Sequence, residues 1–150
     1  MTKILFVCYG NICRSPMAEF IMKDLVSKKG ESNNFYIESA ATSAEELGNP
    51  VYPPAKRILN SIGINCDGKF ARRITKGDYE KFDYIIGMDE MNRRALKSFF
   101  NDVDNKISIL LDFTDRKGEV ADPWWTRDFN ATLFDVTEGT NALYEHIKNK

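Results

Sequence analysis

The sequence predicts an α/β fold: a single-domain, doubly wound, four-stranded parallel sheet with helices on both faces and a phosphate loop after strand one. Short apolar runs of strand length alternate with longer segments of helical spacing along all 150 residues. This alternation implies right-handed crossovers and parallel strands. A chain of this length with 43% apolar residues buries one core, so residues 1–150 are expected to form one domain.

The four predicted strands are short apolar runs that each precede a turn or helix signal. They cover residues 3–8, 34–40, 83–88 and 106–111. In a doubly wound sheet, ligands bind at the carboxyl ends of strands where the strand order reverses. We therefore expect strand 3–8 to be central, with Cys8 at its tip.

Four helices are predicted, three of them from apolar residues at helical spacing. The first opens at Ser15-Pro16, where proline needs no backbone donor. The predicted buried faces are Met17, Phe20, Ile21 and Leu25; Ala55, Ile58, Leu59 and Ile62; and Met91, Ala95, Leu96 and Phe99. The last helix is expected to cover residues 128–148.

Composition excludes several classes of protein. The net charge of −1, with both signs interspersed, gives no basic face for nucleic acid. No apolar run is long enough to cross a membrane, and the apolar start of the chain is too short for a signal peptide. The three cysteines have neither zinc-site spacing nor a disulfide framework, so we expect a cytoplasmic protein.

The most informative segment, Cys8 to Ser15, reads Cys-Tyr-Gly-Asn-Ile-Cys-Arg-Ser. Five residues between a thiol and a guanidinium can curl so that backbone N–H groups point inward beside a helix N-terminus. That field favours the Cys8 thiolate, and the planar fork of Arg14 can hold two phosphoryl oxygens. Gly10 and Asn11 tolerate the positive φ of a tight loop. The bare Cys-x5-Arg pattern also fits a buried thiol, but the flanking strand and helix favour a phosphate cradle.

Residues 8–16 resemble the signature of the low-molecular-weight protein tyrosine phosphatases, Cys-x-Gly-Asn-x-Cys-Arg-Ser-Pro, at every fixed position. Other segments look like family segments in family order: Ser39-Ala40-Ala41-Thr42, Gly63-Ile64-Asn65, Ala71-Arg72, Phe82-Asp83-Tyr84-Ile85-Ile86, Met88-Asp89-Glu90 and Asp122-Pro123. The resemblance implies hydrolysis of phosphotyrosine and simple aryl phosphates through a phosphocysteine on Cys8, without metal or cofactor. The implied partners are phosphotyrosine proteins or peptides, and the implied site anions are phosphate, vanadate and sulfate.

The chemistry also needs a proton donor for the leaving oxygen. Asp122 lies in the predicted loop 118–126, and Pro123 restricts it to extended conformations. Alone, the dipeptide fits an ordinary turn. The family resemblance implies that Asp122 acts as acid in the first step and as base in the second.

The resemblance implies supporting roles for other residues. Ser15 would donate to the thiolate, with capping of the helix as an alternative or additional role, and Asn11 with Ser39 would hold the loop, unless Ser39 is a surface hydroxyl. Cys13 would form a protective disulfide with Cys8, or else be a plain buried cysteine. Trp124 and Trp125 are expected to wall the cleft, with core packing of one of them as the alternative. The expected substrate-binding set is Tyr9, Gly10, Asn11, Ile12, Cys13, Trp124 and Trp125.

Three positions depart from the family pattern. Trp124-Trp125 stand where two tyrosines are common, and Glu45-Glu46 stand where some relatives place an aromatic. The two glutamates would favour basic peptides, or form a solvated acidic turn. Lys69-Phe70 precede Ala71-Arg72 where a histidine is usual. This replacement would change the hydrogen-bond network behind the phosphate loop and could alter the pKa of the Cys8 thiol.

Two other functions compete with the phosphatase. An arsenate reductase uses a similar loop but relies on downstream redox cysteines, and none follows Cys66. A non-catalytic phosphotyrosine-binding module would be expected to lose Cys8, Arg14 or Asp122, which are all present. The single histidine, His146, lies on the last predicted helix and is expected to be structural, which sets a Cys-His enzyme aside.

Overall fold

The structure is a computed structural model that describes residues 1–150. It contains one four-stranded sheet with the order β2-β1-β3-β4, and every strand pair is parallel. The strands are β1 Thr2–Cys8, β2 Phe35–Ala41, β3 Tyr84–Gly87 and β4 Ile107–Ile109. The chain moves outward from β1 in both directions, so the carboxyl end of β1 is the switch point of the sheet. The predicted fold class and the internal position of β1 are confirmed.

Six α-helices accompany the sheet. They are α1 Arg14–Lys28, α2 Pro53–Ser61, α3 Asp78–Lys81, α4 Glu90–Phe99, α5 Pro123–Thr126 and α6 Phe129–Lys148. The four longer helices were predicted, whereas the four-residue helices α3 and α5 were not. Short 3₁₀ turns at Ser32–Asn34 and Leu110–Phe113 complete the chain. None of the helices is both long and apolar enough to cross a membrane.

Strand β1 is buried on both faces of the sheet. Ile4 and Phe6 point into the larger core cluster, which α1, α2 and α6 cover. Leu5 and Val7 point into a second cluster on the opposite face, which α3 and α4 cover. Burial on both faces explains why β1 reads as a continuous apolar run rather than an alternating one. Cys8 follows the same alternation and belongs to the larger cluster.

Two predicted buried positions are exposed. Met91 is 74% exposed, because α4 instead turns Asn92 and Leu96 inward. The side chain of Asn92 accepts the N–H of Met88 at 2.9 Å, which sets the rotation of the first turn. Ile62 is exposed because α2 has already ended when Gly63 adopts a φ of 82°.

The segment that carries Asp122 is anchored at the carboxyl edge of the sheet. Beyond β4, the Leu110–Phe113 turn packs closely on α6. A Cβ at Gly139 of α6 would lie 2.4 Å from Leu110 Cγ, so only glycine fits there. Further on, the N–H of Val120 donates to Met88 O at 2.9 Å. These two contacts bring residue 122 beside the tip of β1.

Candidate active site

The segment from Cys8 to Ser15 forms the loop between β1 and α1, and we call it the phosphate loop. Asn11 has a φ of 61°, as the sequence predicted, and its N–H donates to Cys8 Sγ at 3.3 Å. Gly10 does not have a positive φ, contrary to expectation. Instead, the absence of a side chain at Gly10 leaves room for Glu46, because a Cβ there would lie 3.2 Å from Glu46 Cγ.

Arg14 is the first residue of α1 and is 2% exposed. Its Nη1 donates to Asp89 Oδ2 at 2.6 Å and to Val120 O at 3.0 Å. Burial opposes the charge of this guanidinium, but the Cys8 sulfur and the carboxylates of Asp89 and Asp122 raise the pKa of Arg14 above its ordinary value. Arg14 therefore stays a cation, and its Nε and Nη2 groups make no hydrogen bond within the protein.

Asp122 is the N-cap of α5, and its backbone is extended, as a residue before proline should be. Its Oδ1 accepts the N–H of Trp124 at 3.0 Å. Its Oδ2 lies 3.5 Å from Nη2 of Arg14, and the side chain is 31% exposed. The carboxylate thus stands at the mouth of the site, within reach of both Arg14 and solvent.

A buried polar network lies behind the phosphate loop. Ser15 Oγ is 3.0 Å from Cys8 Sγ. Nδ2 of Asn11 donates to Ser15 Oγ at 2.8 Å and to Ser39 Oγ at 2.9 Å. Ser15 is not the helix cap, because the N-cap position is Cys13, and Ser39 is fully buried rather than a surface hydroxyl. Both alternatives raised from the sequence are therefore wrong.

In front of the loop lies a cleft of about 800 Å³. Nine predicted site residues line it: Cys8, Tyr9, Gly10, Ile12, Cys13, Arg14, Asp122, Trp124 and Trp125. Asn11 does not line the cleft, because its side chain belongs to the buried polar network behind the phosphate loop. Trp124 is 41% exposed and Trp125 is 80% exposed, so neither is a core residue. The Trp124 ring packs against Tyr52, with 5.1 Å between centroids.

All three cysteines are free thiols. Burial, the Cys8 sulfur and the Asp122 carboxylate raise the pKa of Cys13 to about 12. Cys13 is therefore a protonated thiol at neutral pH. His146 packs edge-on against Phe113, with 5.0 Å between ring centroids, and makes no contact with the phosphate loop.

Sequence reasoning missed three residues of the site. Asp89, which orients Arg14, lies in the family-like segment Met88-Asp89-Glu90 directly after a predicted strand, and that position was the available signal. Met91 lines the cleft and was misassigned to the core. Glu19 is 4% exposed and accepts a hydrogen bond from the hydroxyl of Ser39 at 2.5 Å. In the sequence, however, a glutamate within a predicted helix cannot be distinguished from an ordinary surface residue.

A parallel sheet that presents a buried thiol, a guanidinium and a carboxylate at the tip of its central strand defines the class of cysteine-dependent phosphatases. Residues 3–150 match the family model described as "Low molecular weight phosphotyrosine protein phosphatase". The chain belongs to this family.

Individual relatives agree over nearly the full chain. The low molecular weight protein-tyrosine-phosphatase YfkJ of Bacillus subtilis is 38% identical, over 100% of this chain and 98% of its own. Its crystal structure superposes with a TM-score of 0.96, covering 99% of this chain and 96% of that one. The low molecular weight phosphotyrosine protein phosphatase of Sus scrofa is 43% identical, over 97% and 95% of the two chains. A low molecular weight protein tyrosine phosphatase from Streptococcus pyogenes is 44% identical, with a TM-score of 0.87 over 97% and 93%.

Proposed function

We propose that the protein hydrolyses phosphotyrosine in proteins and peptides, and simple aryl phosphates, through a phosphocysteine on Cys8. The observation that carries the proposal is the convergence of three groups in one cleft. The Cys8 sulfur lies within the phosphate loop, Arg14 is fixed beside it, and Asp122 Oδ2 lies 3.5 Å from the guanidinium. A nucleophile, an anion receptor and a proton donor are thus available to the same phosphoryl group.

Substrate binding uses the groups of the site that are not already engaged. Asp89 and Val120 hold Nη1 of Arg14, which leaves Nε and Nη2 as a fork for two phosphoryl oxygens. The other N–H groups of residues 9–14, which lead into α1, add further donors for the equatorial oxygens. Because this field favours negative charge, it suits the phosphate dianion.

The reaction proceeds as two in-line displacements at phosphorus. The Cys8 thiolate attacks, an S–P bond forms and the P–O bond to the phenol breaks, while Asp122 gives its proton to the departing oxygen. The Asp122 carboxylate then takes a proton from water as that water attacks phosphorus. The S–P bond breaks, which releases inorganic phosphate and regenerates the thiolate. Arg14 balances charge on the equatorial oxygens in both steps.

The walls of the cleft favour an aromatic substrate. Tyr9, Trp124 and Trp125 offer ring faces against which a phenyl group can stack, whereas phosphoserine is too short to fill the space between them. Glu45 and Glu46 line the same cleft and form no ion pair in the protein, which favours basic residues beside the phosphotyrosine. The three free thiols suit a reducing compartment such as the cytoplasm.

The competing functions have weaker support. An arsenate reductase would need redox cysteines after Cys66, and the chain has none. A binding module has no need for a carboxylate at the mouth of the cleft, yet Asp122 stands there.

The test is vanadate-sensitive hydrolysis of an aryl phosphate and of a phosphotyrosine peptide, measured without added metal. We expect turnover by the wild type, none by Cys8→Ser, and slow turnover by Asp122→Ala. Trapping the phosphorylated Cys8 peptide by rapid acid quench would establish the intermediate. A wild-type protein that binds phosphotyrosine peptide but does not hydrolyse it would overturn the proposal in favour of a binding module.

A further inference from the structure

We propose that Tyr52 is a positioning residue that docks helix α5 against the phosphate loop and thereby holds Asp122 and Trp124 at the cleft. The inference rests on the proposed function, because the proton transfer that it serves is the one assigned to Asp122. Tyr52 does not line the cleft, so it acts through the residues that it contacts. It stands immediately before helix α2, and it contacts both the phosphate loop and the α5 segment.

Helix α5 needs support from outside its own segment. It has a single turn, and one turn of helix is unstable by itself because nucleation is unfavourable. The backbone hydrogen bonds of residues 121–128 are all made within that segment or to the first turn of α6. Asp122 adds one ion pair with Arg14, at 3.5 Å. The one hydrogen bond that joins the segment to an earlier part of the chain comes from Arg127 Nη1, which donates to Tyr52 Oη at 3.1 Å.

The position of Tyr52 is set by the phosphate loop and by the proline that follows it. Its N–H donates to Ile12 O at 2.9 Å, which ties its backbone to the phosphate loop. Pro53 restricts the residue before it to extended conformations, and Tyr52 has a φ of −58° and a ψ of 134°. The Tyr52 ring packs with Phe129 against the small apolar cluster that includes Ile12. Tyr52 is therefore fixed relative to the phosphate loop at both its backbone and its ring.

Tyr52 and Arg127 together hold the Trp124 indole. The centroids of the Tyr52 and Trp124 rings are 5.1 Å apart, with 54° between the ring planes, and such tilted pairs attract. The guanidinium carbon of Arg127 lies 5.3 Å from the Trp124 ring centroid, within the range of a cation–π interaction. Each of the three side chains thus contacts the other two. Because Trp124 also lines the cleft, these contacts fix the orientation of one cleft wall.

The backbone at Arg127 indicates that its side chain has a specific role. Arg127 ends α5 in the left-handed region, with a φ of 61°, where glycine and asparagine are favoured over arginine. Its N–H donates to Pro123 O at 2.9 Å and closes the turn, which a glycine or an asparagine could do equally well. Neither of those residues is long enough to reach Tyr52. The arginine therefore serves the contact with Tyr52 rather than the turn.

Docking of α5 determines where the Asp122 carboxylate stands. Asp122 and Arg127 cap the two ends of the same turn, so a contact that holds one end limits the movement of the other. A displacement of about 1 Å in a catalytic site can cost ~10²-fold in rate. Loss of the Tyr52 contacts should therefore impair proton transfer as well as loosen the Trp124 wall.

The first measurement follows Trp124 directly and needs no turnover. The chain has two tryptophans, so Trp125→Phe leaves Trp124 as the only one, and acrylamide quenching of its fluorescence reports its exposure. In this background we expect Tyr52→Ala to raise the quenching constant by up to about twofold, because Trp124 is 41% exposed and its neighbour Trp125 is 80% exposed. Arg127→Asn suits the left-handed turn but loses the contact, and should raise the constant by a smaller amount.

The second measurement is kcat/KM for a series of aryl phosphates, which covers the steps up to release of the phenol. The proton from Asp122 matters most when the leaving phenol is weakly acidic. Tyr52→Ala should lower kcat/KM by roughly tenfold for phenyl phosphate and phosphotyrosine peptide, and by much less when the phenol is acidic. Tyr52→Phe keeps the ring and loses only the hydroxyl, so its effect should be intermediate. A contact that only stabilises the fold would not change the dependence on the phenol.

Tyr79 provides the matched control, because similar contacts hold it in the core cluster on the opposite face of the sheet. Its ring lies 5.5 Å from that of Phe100, and its hydroxyl donates to Asp102 Oδ1 at 2.7 Å. Tyr79→Phe and Tyr79→Leu should lower the melting temperature without changing Trp124 quenching or the dependence on the phenol. In the Arg127→Asn background, Tyr52→Phe should add nothing, because its hydroxyl has already lost its partner. Thermal unfolding checks that each variant folds; if Tyr52→Ala does not, Tyr52→Phe and Arg127→Asn carry the test.

Three outcomes would overturn the proposal. These are unchanged quenching of Trp124 in Tyr52→Ala, an equal loss of kcat/KM across the phenol series, or a change in the dependence on the phenol in Tyr79→Leu as large as in Tyr52→Ala. A wild-type protein that hydrolyses no aryl phosphate, together with raised quenching in Tyr52→Ala, would instead contradict the proposed function and leave the docking of α5 by Tyr52 established.

Discussion

Asp89 and Asp122 both face Arg14 and both cap a helix, yet the regions that carry them hold their carboxylates very differently. Asp89 begins the ten-residue helix α4 directly after β3. Both of its oxygens are engaged, one by Arg14 at 2.6 Å and the other by the N–H of Asn92 at 2.8 Å. Asp122 begins the four-residue helix α5 in a long connection, and its Oδ2 accepts no hydrogen bond.

The difference separates alignment from proton transfer. A carboxylate with both oxygens engaged is suited to hold a guanidinium in one orientation. A carboxylate at the cleft mouth with one oxygen that accepts no hydrogen bond is suited to carry a proton to a leaving group. Asp89 and Asp122 each stand immediately before a helix in the sequence. Their proposed roles differ because the two helices differ in length and anchoring.

The largest expected effect is on turnover when Asp122 loses its acidity. Asp122→Asn keeps a helix-capping acceptor but cannot donate a carboxylic proton, so kcat toward phosphotyrosine peptide should fall by ~10² to 10⁴-fold. The melting temperature should stay close to wild type. Steady-state kinetics with a series of aryl phosphates is the measurement, and the loss should shrink as the leaving phenol becomes more acidic. A uniform loss across that series would contradict the role of proton donor.

Asp89→Asn should act mainly on anion binding. It also keeps the helix cap, but it weakens the contact that fixes Arg14, leaving a buried cation with a looser partner. We expect vanadate to bind at least about 30-fold more weakly, equivalent to ~2 kcal/mol, together with a lower melting temperature. Isothermal titration with vanadate checks this. Equal vanadate affinity in Asp89→Asn and wild type would show that Asp89 is not the residue that orients Arg14.

Asn92→Ala tests whether the rigidity of the Asp89 region matters. It removes the capping box and the buried bond to Met88, which should cost about 1–2 kcal/mol of folding stability and raise KM several-fold. Asp128→Ala is the matched control, because Asp128 caps α6 by a similar bond to Ala131 but does not line the cleft. The folding stability of Asp128→Ala should fall by a similar amount, with no change in KM. Urea unfolding measures the stability and steady-state kinetics measures the KM.

The smallest expected effect concerns Cys13, whose pKa is raised by the charge of Asp122 but not by that of Asp89. Burial, with Cys8 and Asp122, raises the pKa of Cys13 to about 12, so its thiolate is scarce at any pH below that value. Removing the negative charge of Asp122 lowers that pKa, which increases the thiolate fraction at a fixed alkaline pH. In a Cys8→Ser background, Asp122→Asn should speed alkylation of Cys13 by roughly two- to fivefold, a fraction of a pH unit. Asp89→Asn should leave the rate unchanged; a similar acceleration by both would show that the two charges act alike.

Much of the fold was predictable because its signals are local. The four strands and four long helices are indicated by apolar runs and helical spacing, and strand β1 shows its central position by its unbroken apolar run Ile4-Leu5-Phe6-Val7. The short helices α3 and α5 were not predictable, since four residues carry no periodicity. Met91 was misassigned because its spacing fits a buried face, whereas the capping box at Asp89 turns Asn92 inward and leaves Met91 exposed beside the cleft.

The residues of the phosphate loop were predictable from a contiguous motif, and Asp122 from its match to a family segment. Glu19 and Asp89 were not assigned roles, because their importance arises from contacts over long sequence separations. Glu19 meets Ser39 across 20 residues, and Asp89 meets Arg14 across 75. Nothing in the local sequence distinguishes such a residue from an ordinary polar position on a helix or at a helix start.

The bond from Arg14 Nη1 to Val120 O joins residues 106 positions apart. During synthesis, the phosphate loop therefore leaves the ribosome long before the carbonyl that aligns its guanidinium exists. A nascent chain carries the complete signature for most of its elongation without an assembled anion receptor. We therefore expect binding of phosphate or vanadate to report completion of the fold, because the Arg14 guanidinium gains this partner only after the segment around residue 120 has docked beside β3.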